Sequence, residues 1–266
     1  MSTTTETKIL ITGAAGRIGT LLTGHLKDRY DLVLTDICQP EGSHNFPFIK
    51  ADITDPVAMR SACEGVDIVL HLAADPRVDA PWESLLPNNV IGAYNIFQAA
   101  YEAGCRRIIF ASSINTVSGY PAEVRVSTDA PVRPPNLYGV SKVWGEALAR
   151  FYADTKGLSC ICLRFGWALS TAEIGLANAE LHHVLTHGDL VRLVAASIEA
   201  PADLRFGVFH GVSNNRRIQF DISGACEVLG YTPQDDAFTL AEAAATRRER
   251  FGWRRPIIWL KTYLRG

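Results

Sequence analysis

Six short, almost wholly apolar runs alternate with segments of helical periodicity over the first 165 residues. The runs are 8–12 (KILIT), 31–35 (DLVLT), 46–51, 67–72 (DIVLHL), 107–111 (RIIFA) and 158–163. Between the first two, Ile18, Leu21, Leu22 and Leu26 recur at helical spacing over 17–29. A short helix is expected at 56–63, and long ones at 88–103 and 137–156, stopped by Gly104 and Gly157. Strands that lack a polar face must be covered on both sides. The pattern therefore predicts an α/β fold with a doubly wound parallel sheet. Ligands are expected at the carboxyl ends of its strands. After residue 165 the rhythm changes to a polar stretch, a helix ending near Ala200, a strand at 207–211 and a short helix at 221–229. The expected organisation is a dinucleotide-binding core over 1–165 and a small substrate lobe over 166–266.

Composition removes several function classes. Hydrophobic residues are 47% and charged residues 20% of the 266, which excludes disorder, collagen and coiled coil as global descriptions. With 26 Lys+Arg against 28 Asp+Glu, the chain has no basic field for nucleic acid or an anionic membrane. No apolar stretch reaches the roughly 18 residues of a membrane span, and the polar start MSTTTETK lacks a signal-peptide pattern. The expected compartment is the cytoplasm. Cys38, Cys63, Cys105, Cys160, Cys162 and Cys226 form no CxxC pair, so reduced, mostly buried thiols are expected.

The strongest local motif is Thr12-Gly13-Ala14-Ala15-Gly16-Arg17-Ile18-Gly19, between the first strand and the first helix. Its glycines let the backbone turn tightly and approach a pyrophosphate, which then lies on the helix N-terminus. Asp36 follows Gly13 by 23 residues, at the end of the second strand. An acid there accepts hydrogen bonds from the adenosine ribose diol and repels a 2′-phosphate, which favours NAD over NADP. Arg17 pulls the other way if its guanidinium meets a 2′-phosphate, and not if it lies along the surface or the pyrophosphate.

Tyr138 and Lys142 stand four apart on one predicted helix and so share a face. An ammonium near a phenol stabilises the tyrosinate, which can then serve as a general base toward an alcohol. Tyr152 and Lys156 repeat the spacing about 21 Å farther along the helix axis. Both pairs cannot serve one cofactor, and Lys156 before Gly157 is explained by the helix dipole alone. Ser113 and Asn115 close the fifth strand, where a hydroxyl can hold a substrate oxygen, although Ser and Asn also favour plain turns. His182, His183 and His187 lack the Glu of an HExxH arrangement, and no metal is expected.

Together these pieces resemble the extended, epimerase/dehydratase-like branch of the short-chain dehydrogenase/reductase superfamily, over about residues 8–164. The loop reads TGxxGxxG, as in extended members. His71-Leu72-Ala73-Ala74, Asn88-Asn89-Val90-x-Gly92, Ser113 and the Tyr138/Lys142 pair also match, as does the 25-residue separation of Ser113 and Tyr138. The resemblance implies strand order 3-2-1-4-5-6. It makes Ser113 the substrate-orienting hydroxyl, Tyr138 the acid/base, and Lys142 both pKa modifier and nicotinamide-ribose ligand. It assigns NAD contacts to Gly13, Gly16, Arg17, Ile18, Gly19, Asp36, Asp52, Ile53, Leu72, Ala73, Ala74 and Asn89, with Asn89 organising the nearby backbone and His71 a packing residue. It also implies a homodimer or higher homo-oligomer, formed through the two long helices.

Within the branch the chain is most similar to the uronate dehydrogenases, which oxidise the C1 hydroxyl of a free hexuronic acid to an aldonolactone. The similar stretches are Phe110–Ser113, Leu137–Lys142, His187–Val191 and Leu229–Pro233. Only 102 residues follow residue 164, which suits a small free sugar better than a nucleotide sugar. The chain also departs from that family: 166–179 contains no Arg to grip a carboxylate, Trp167 replaces a small polar residue, and Ile114-Asn115 replaces Asn-His. The substrate is then a neutral aldose, or an acidic sugar held by another cation. Arg77 is the best substitute, unless it is a solvated loop residue, and Trp167 either stacks on a sugar ring or packs. The rival readings are a nucleotide-sugar epimerase or dehydratase with tightly bound NAD, and a non-catalytic dinucleotide sensor.

Overall fold

The computed structural model describes residues 7–175 and 180–251, the last four as backbone only. Its main sheet has seven strands, all parallel, in the order β3-β2-β1-β4-β5-β6-β9. The strands are β1 Lys8–Thr12, β2 Asp31–Asp36, β3 Phe48–Lys50, β4 Ile68–His71, β5 Arg107–Ser113, β6 Ser159–Phe165 and β9 Phe206–Gly211. The first six follow the order expected from sequence, and β9 extends the sheet beyond β6. A second, two-stranded parallel sheet pairs β7 (Trp167–Leu169) with β8 (Val184–Thr186) just past the end of β6.

Each buried strand sends alternate side chains to opposite faces. Ile9 and Ile11 join a core with Leu22 and Leu26 of α1 (Arg17–Leu26), and with Leu190, Leu193 and Val194 of α7 (His187–Ile198). Leu10 between them joins a second core with Met59 of α2 (Pro56–Ala62), Ile96 and Phe97 of α4 (Gly92–Glu102), and Ala149 of α5 (Leu137–Phe151). The residues after 165 thus serve both parts of the molecule. β9 and α7 belong to the sheet and its cover, while β7, β8 and the short α6 (Thr171–Ile174) follow directly from the end of β6.

Helix boundaries differ from the sequence reading most before residue 88; in addition α5 passes into a π-helical segment, Tyr152–Lys156, and an unexpected helix spans Ala237–Phe251. The helix expected from residue 88 begins six residues earlier, as α3 (Trp82–Leu85) leading into a π-helical segment, Leu86–Ile91, and then α4. Pro87 lacks an amide donor and reads as a helix start. The wider π turn takes the proline within a continuous helix instead. All six cysteines are free thiols, four of them buried. Among the described residues, no helix is long and apolar enough to cross a membrane.

One charged residue ties the two halves of the fold. Arg107 opens β5 with only 1% of its surface exposed. Its Nε donates to Ser159 Oγ at 3.0 Å, and its terminal nitrogens donate to the carbonyls of Ser197 (3.1 Å), Ala200 (2.9 Å) and Pro201 (2.7 Å). These carbonyls belong to or follow the last turn of α7, where backbone acceptors lack helical partners and a cation is favoured. Arg107→Ala removes the donors and leaves a cavity, and is expected to lower the unfolding free energy by about 2–5 kcal/mol. Urea denaturation checks this; a loss under about 1 kcal/mol would refute the capping role.

Candidate active site

The order of the sheet reverses between β1 and β4, and the crevice at that switch is where an open α/β sheet takes its ligand. Gly13 leaves β1 with φ +70°, and a Cβ there would lie 2.7 Å from the Ala73 amide nitrogen. Only glycine allows that turn with that approach. Gly16 is the N-cap of α1 and offers no side-chain cap, so the first amides of the helix face the crevice without one. Gly19 packs in the first turn against the Gly13 carbonyl, and Ile18 packs partly buried on the core. These are the features that a pyrophosphate requires.

Asp36 ends β2, and its carboxylate accepts from the Ala15 amide at 2.9 Å and the Ile37 amide at 2.7 Å. A carboxylate has about four acceptor positions, so capacity for a ribose diol remains. Arg17 is ion-paired with Glu173 of α6 at 2.5 Å, and its guanidinium lies 3.5 Å from His187 Nε2. The guanidinium thus links the glycine loop to the segment after β6. Asp52 is exposed and holds the Thr54 amide and hydroxyl at 2.8 Å, while Ile53 is buried against Gly92.

Thr12 Oγ1 meets His71 Nδ1 at 2.7 Å and the amides of Leu72 and Ala73 at 3.2 and 3.3 Å. Burial, assisted by the Lys142 charge, pushes the His71 pKa down to about 3, so this imidazole stays neutral. Asn89 clamps the backbone just beyond Ala74: its Oδ1 accepts from the Asp75 amide (2.8 Å), and its Nδ2 donates to the Asp75 carbonyl and to Ser141 Oγ (both 3.0 Å). Its place in the π-helical segment gives it that reach. Sequence reading missed Asp75. Its carboxylate takes a two-pronged contact from Arg77 (3.0 and 2.6 Å) and one from Ser84 Oγ (2.6 Å). Arg77 holds the Asp75 pKa down to about 2. The Arg77 guanidinium therefore faces its own loop's carboxylate.

Ser113, Tyr138 and Lys142 meet at the end of β5, all buried. Ser113 Oγ accepts from the amide (3.1 Å) and the Nδ2 (3.2 Å) of Asn115. Both lone pairs are then occupied, which leaves the hydroxyl proton for Tyr138 or a substrate. Asn115 Oδ1 accepts from Asn136 Nδ2 at 3.0 Å, and Asn136 Oδ1 caps α5 through the Gly139 amide at 2.7 Å. A Cβ at Gly139 would stand 2.3 Å from the Asn115 carbonyl oxygen, so glycine brings α5 onto the end of β5. Asn136 was also missed, although a short polar residue before a predicted helix is a readable N-cap signal.

Burial pushes the Tyr138 pKa up to about 12; the Ser113 hydrogen bond lowers it and the Asp75 charge raises it. Burial brings Lys142 down to about 8. Its Nζ lies 5.1 Å from the Phe110 ring centre and 5.6 Å from that of Tyr138. Among the described residues this ammonium meets two ring faces and no carboxylate, which fits a site prepared for a ribose diol.

The second Tyr–Lys pair is separate from this cluster, whereas Trp167 packs on the same small core as Ile114, the residue after Ser113. Tyr152 lies in the core, stacked on Phe97 at 5.6 Å with its hydroxyl donated to Gln98 at 2.7 Å; Lys156 lies over the Tyr101 ring. Trp167 packs edge-on to His183 at 5.5 Å. His183 and His187 do not share a helix face, because β8 separates them. Among the described residues, no group of three His, Cys, Asp or Glu side chains is placed to hold a metal ion.

Comparison with known proteins agrees with this geometry. Residues 9–186 match the NAD dependent epimerase/dehydratase family. An NAD-dependent glucose-6-phosphate dehydrogenase of Haloferax volcanii is 36% identical, covering 86% of this chain and 94% of that enzyme. A uronate dehydrogenase of Pseudomonas putida is 33% identical, covering 91% and 90%. The crystal structure of a uronate dehydrogenase variant from Agrobacterium tumefaciens complexed with NAD superposes with TM-score 0.81 at 33% identity, covering 95% of this chain and 91% of that one. The chain belongs to the NAD-dependent epimerase/dehydratase family, the extended short-chain dehydrogenases, and its cofactor is NAD.

A buried 2′-phosphate beside Asp36 would be repelled by about 1–3 kcal/mol, or roughly 10–100-fold. Asp36→Ala is therefore expected to narrow the ratio of kcat/KM for NAD over NADP by about that factor. A wild-type enzyme that uses NADP better than NAD would refute the assignment.

Proposed function

We propose that the chain is an NAD-dependent sugar dehydrogenase that oxidises the C1 hydroxyl of a free sugar or sugar acid to the aldonolactone. The observation that carries this reading is the Ser113–Tyr138–Lys142 cluster at the strand ends, with both lone pairs of Ser113 occupied by Asn115. The similarity to uronate and glucose-6-phosphate dehydrogenases, over nine-tenths of their length, supports sugar as the substrate class.

Gly13, Gly16, Arg17, Ile18 and Gly19 are assigned to the pyrophosphate, and Asp36 to the adenosine ribose. Asp52, Ile53, Leu72, Ala73, Ala74 and Asn89 line the rest of the cofactor path. Ser113 donates to the substrate C1 oxygen. Tyr138 takes the C1 hydroxyl proton as general base. Lys142 favours the tyrosinate and holds the nicotinamide ribose. When bound, the oxidised nicotinamide supplies a hydride acceptor and a positive charge. That charge matters, because Tyr138 alone is held up to about 12. Arg77, Asn115 and Trp167 are assigned to the substrate wall.

General-base catalysis contributes about 10²–10⁴-fold. Tyr138→Phe is expected to lower kcat by at least about 10²-fold with NAD affinity nearly unchanged, and Ser113→Ala to lower it less. Tyr152→Phe is expected to be nearly silent. The assay follows NADH release with hexuronates and neutral aldoses. A Tyr138→Phe enzyme with wild-type turnover would overturn the assignment. NAD that stays bound and is recycled with a nucleotide sugar would favour an epimerase.

The same reading includes a homodimer. Ile91, Tyr94 and Tyr101 on the α3–α4 helix, and Val140, Trp144 and Phe151 on α5, are large apolar side chains left exposed. α4 and α5 adjoin on one face of the sheet, so a two-fold contact would cover both. Light scattering is expected to give twice the chain mass at micromolar concentration, and Tyr94→Glu to halve it. A monomeric wild type would refute the dimer.

A further inference from the structure

Behind the catalytic cluster lies a buried charged network that no step above uses. Glu146 of α5 and Arg164 of β6 form a two-pronged ion pair, Nε to Oε1 and a terminal nitrogen to Oε2, both 2.8 Å. The exposure of the two side chains is 8% and 3%. Ser112 of β5 donates its hydroxyl to Glu146 Oε1 at 2.6 Å. The other terminal nitrogen of Arg164 reaches the Thr128 carbonyl and His210 Nε2 of β9, both 3.4 Å. His210 in turn meets the Asp221 carbonyl through Nδ1 at 3.0 Å. Ser112, Arg164 and His210 stand opposite one another across β5, β6 and β9.

This placement has a consequence for the reacting groups. Ser112 is the residue before Ser113. Glu146 is one turn beyond Lys142 and two beyond Tyr138 on the same helix face. The strand end and α5 are therefore joined at two levels. The Asn115–Asn136 bond holds the helix start, and the Ser112–Glu146 bond holds it two turns later. Tyr138 and Lys142 lie between those ties. Stability alone gives little reason for the ion pair, since replacing a buried pair by apolar side chains is often neutral or stabilising.

We infer that Ser112, Glu146 and Arg164 are positioning residues, which fix the separation between the Ser113 hydroxyl and the Tyr138 phenol by clamping α5 to the ends of β5 and β6. The inference rests on the assignment of Tyr138 as the base. Arg164 orients the Glu146 carboxylate, and Glu146 accepts from Ser112. The strand end is then fixed relative to the helix. A shift of about 1 Å in such a geometry can cost 10²-fold in rate.

Two variants test it. Ser112→Ala removes one tie and leaves the ion pair intact. It is expected to lower kcat by about tenfold, with melting temperature, NAD affinity and sugar KM nearly unchanged. Glu146→Gln leaves the Arg164 charge buried without its counter-ion and is expected to lose stability. The double variant Glu146→Leu/Arg164→Met removes both that charge and the acceptor for Ser112, and is expected to regain stability and NAD affinity, while kcat stays about 10–100-fold low. Recovery of kcat together with stability in the double variant would overturn the inference, as would wild-type kcat in Ser112→Ala. If the double variant does not fold, Ser112→Ala decides. Tyr138→Phe is measured alongside. Turnover retained there refutes the assignment of the base, whereas turnover lost there and kept in Ser112→Ala refutes only the positioning role.

Discussion

The site depends on the approach of two backbones where the sheet reverses direction, between β1 and β4. With φ +70° and no Cβ, Gly13 lets the chain leaving β1 turn against the Ala73 amide. Thr12, one residue earlier, holds the Leu72 and Ala73 amides and the His71 ring. The two strand exits thus form one wall, with the open end of α1 beside it. A larger residue at position 13 would part them. The glycine loop and the orientation of the β4 loop then rest on the same contact, and through Asn89 that loop is tied to α5.

Polar burial near the site serves geometry. His71 and His210 are held neutral, at about 3 and 4, chiefly by burial. Asp75 is held ionised by Arg77, and Glu146 is paired with Arg164. Lys142 differs: its ammonium is buried among rings, with no carboxylate beside it among the described residues. A cation left in that state is costly in a folded chain unless a ligand supplies oxygen atoms. Of these charged groups, Lys142 is left for an outside partner, where the cofactor ribose is assigned, while Asp75, Glu146 and Arg164 are satisfied internally.

The sheet was legible because buried parallel strands must be continuously apolar, and the crevice because strand order fixes where it opens. The Ser113, Tyr138 and Lys142 cluster was legible from spacing and motif. What was not legible depends on side-chain pairing that no motif or spacing announces. Nothing in the sequence links Asp75 to Arg77 and Ser84, or Ser112 to Glu146 and Arg164. Each is an ordinary residue until the fold brings its partner within 3 Å. The seventh strand was readable as a strand, but its place beside β6 was not, because apolar content does not name a neighbour. The π turn through Pro87 was hidden for a local reason, since a proline reads as a boundary whenever an i→i+4 ladder is assumed.

The two Tyr–Lys pairs, one in α5 and one in the π-helical segment Tyr152–Lys156 that continues it, show how little the spacing itself decides. Tyr138 with Lys142 and Tyr152 with Lys156 have the same separation and comparable phenols, both pushed up to about 12 chiefly by burial. Tyr152 gives its hydroxyl to Gln98 and its ring to Phe97, so its polar atom is spent within the core. Tyr138 meets a serine whose lone pairs are already taken, and among the described residues its neighbouring lysine has no anion beside it. The two pairs share a spacing, and only the first stands against a strand-end serine.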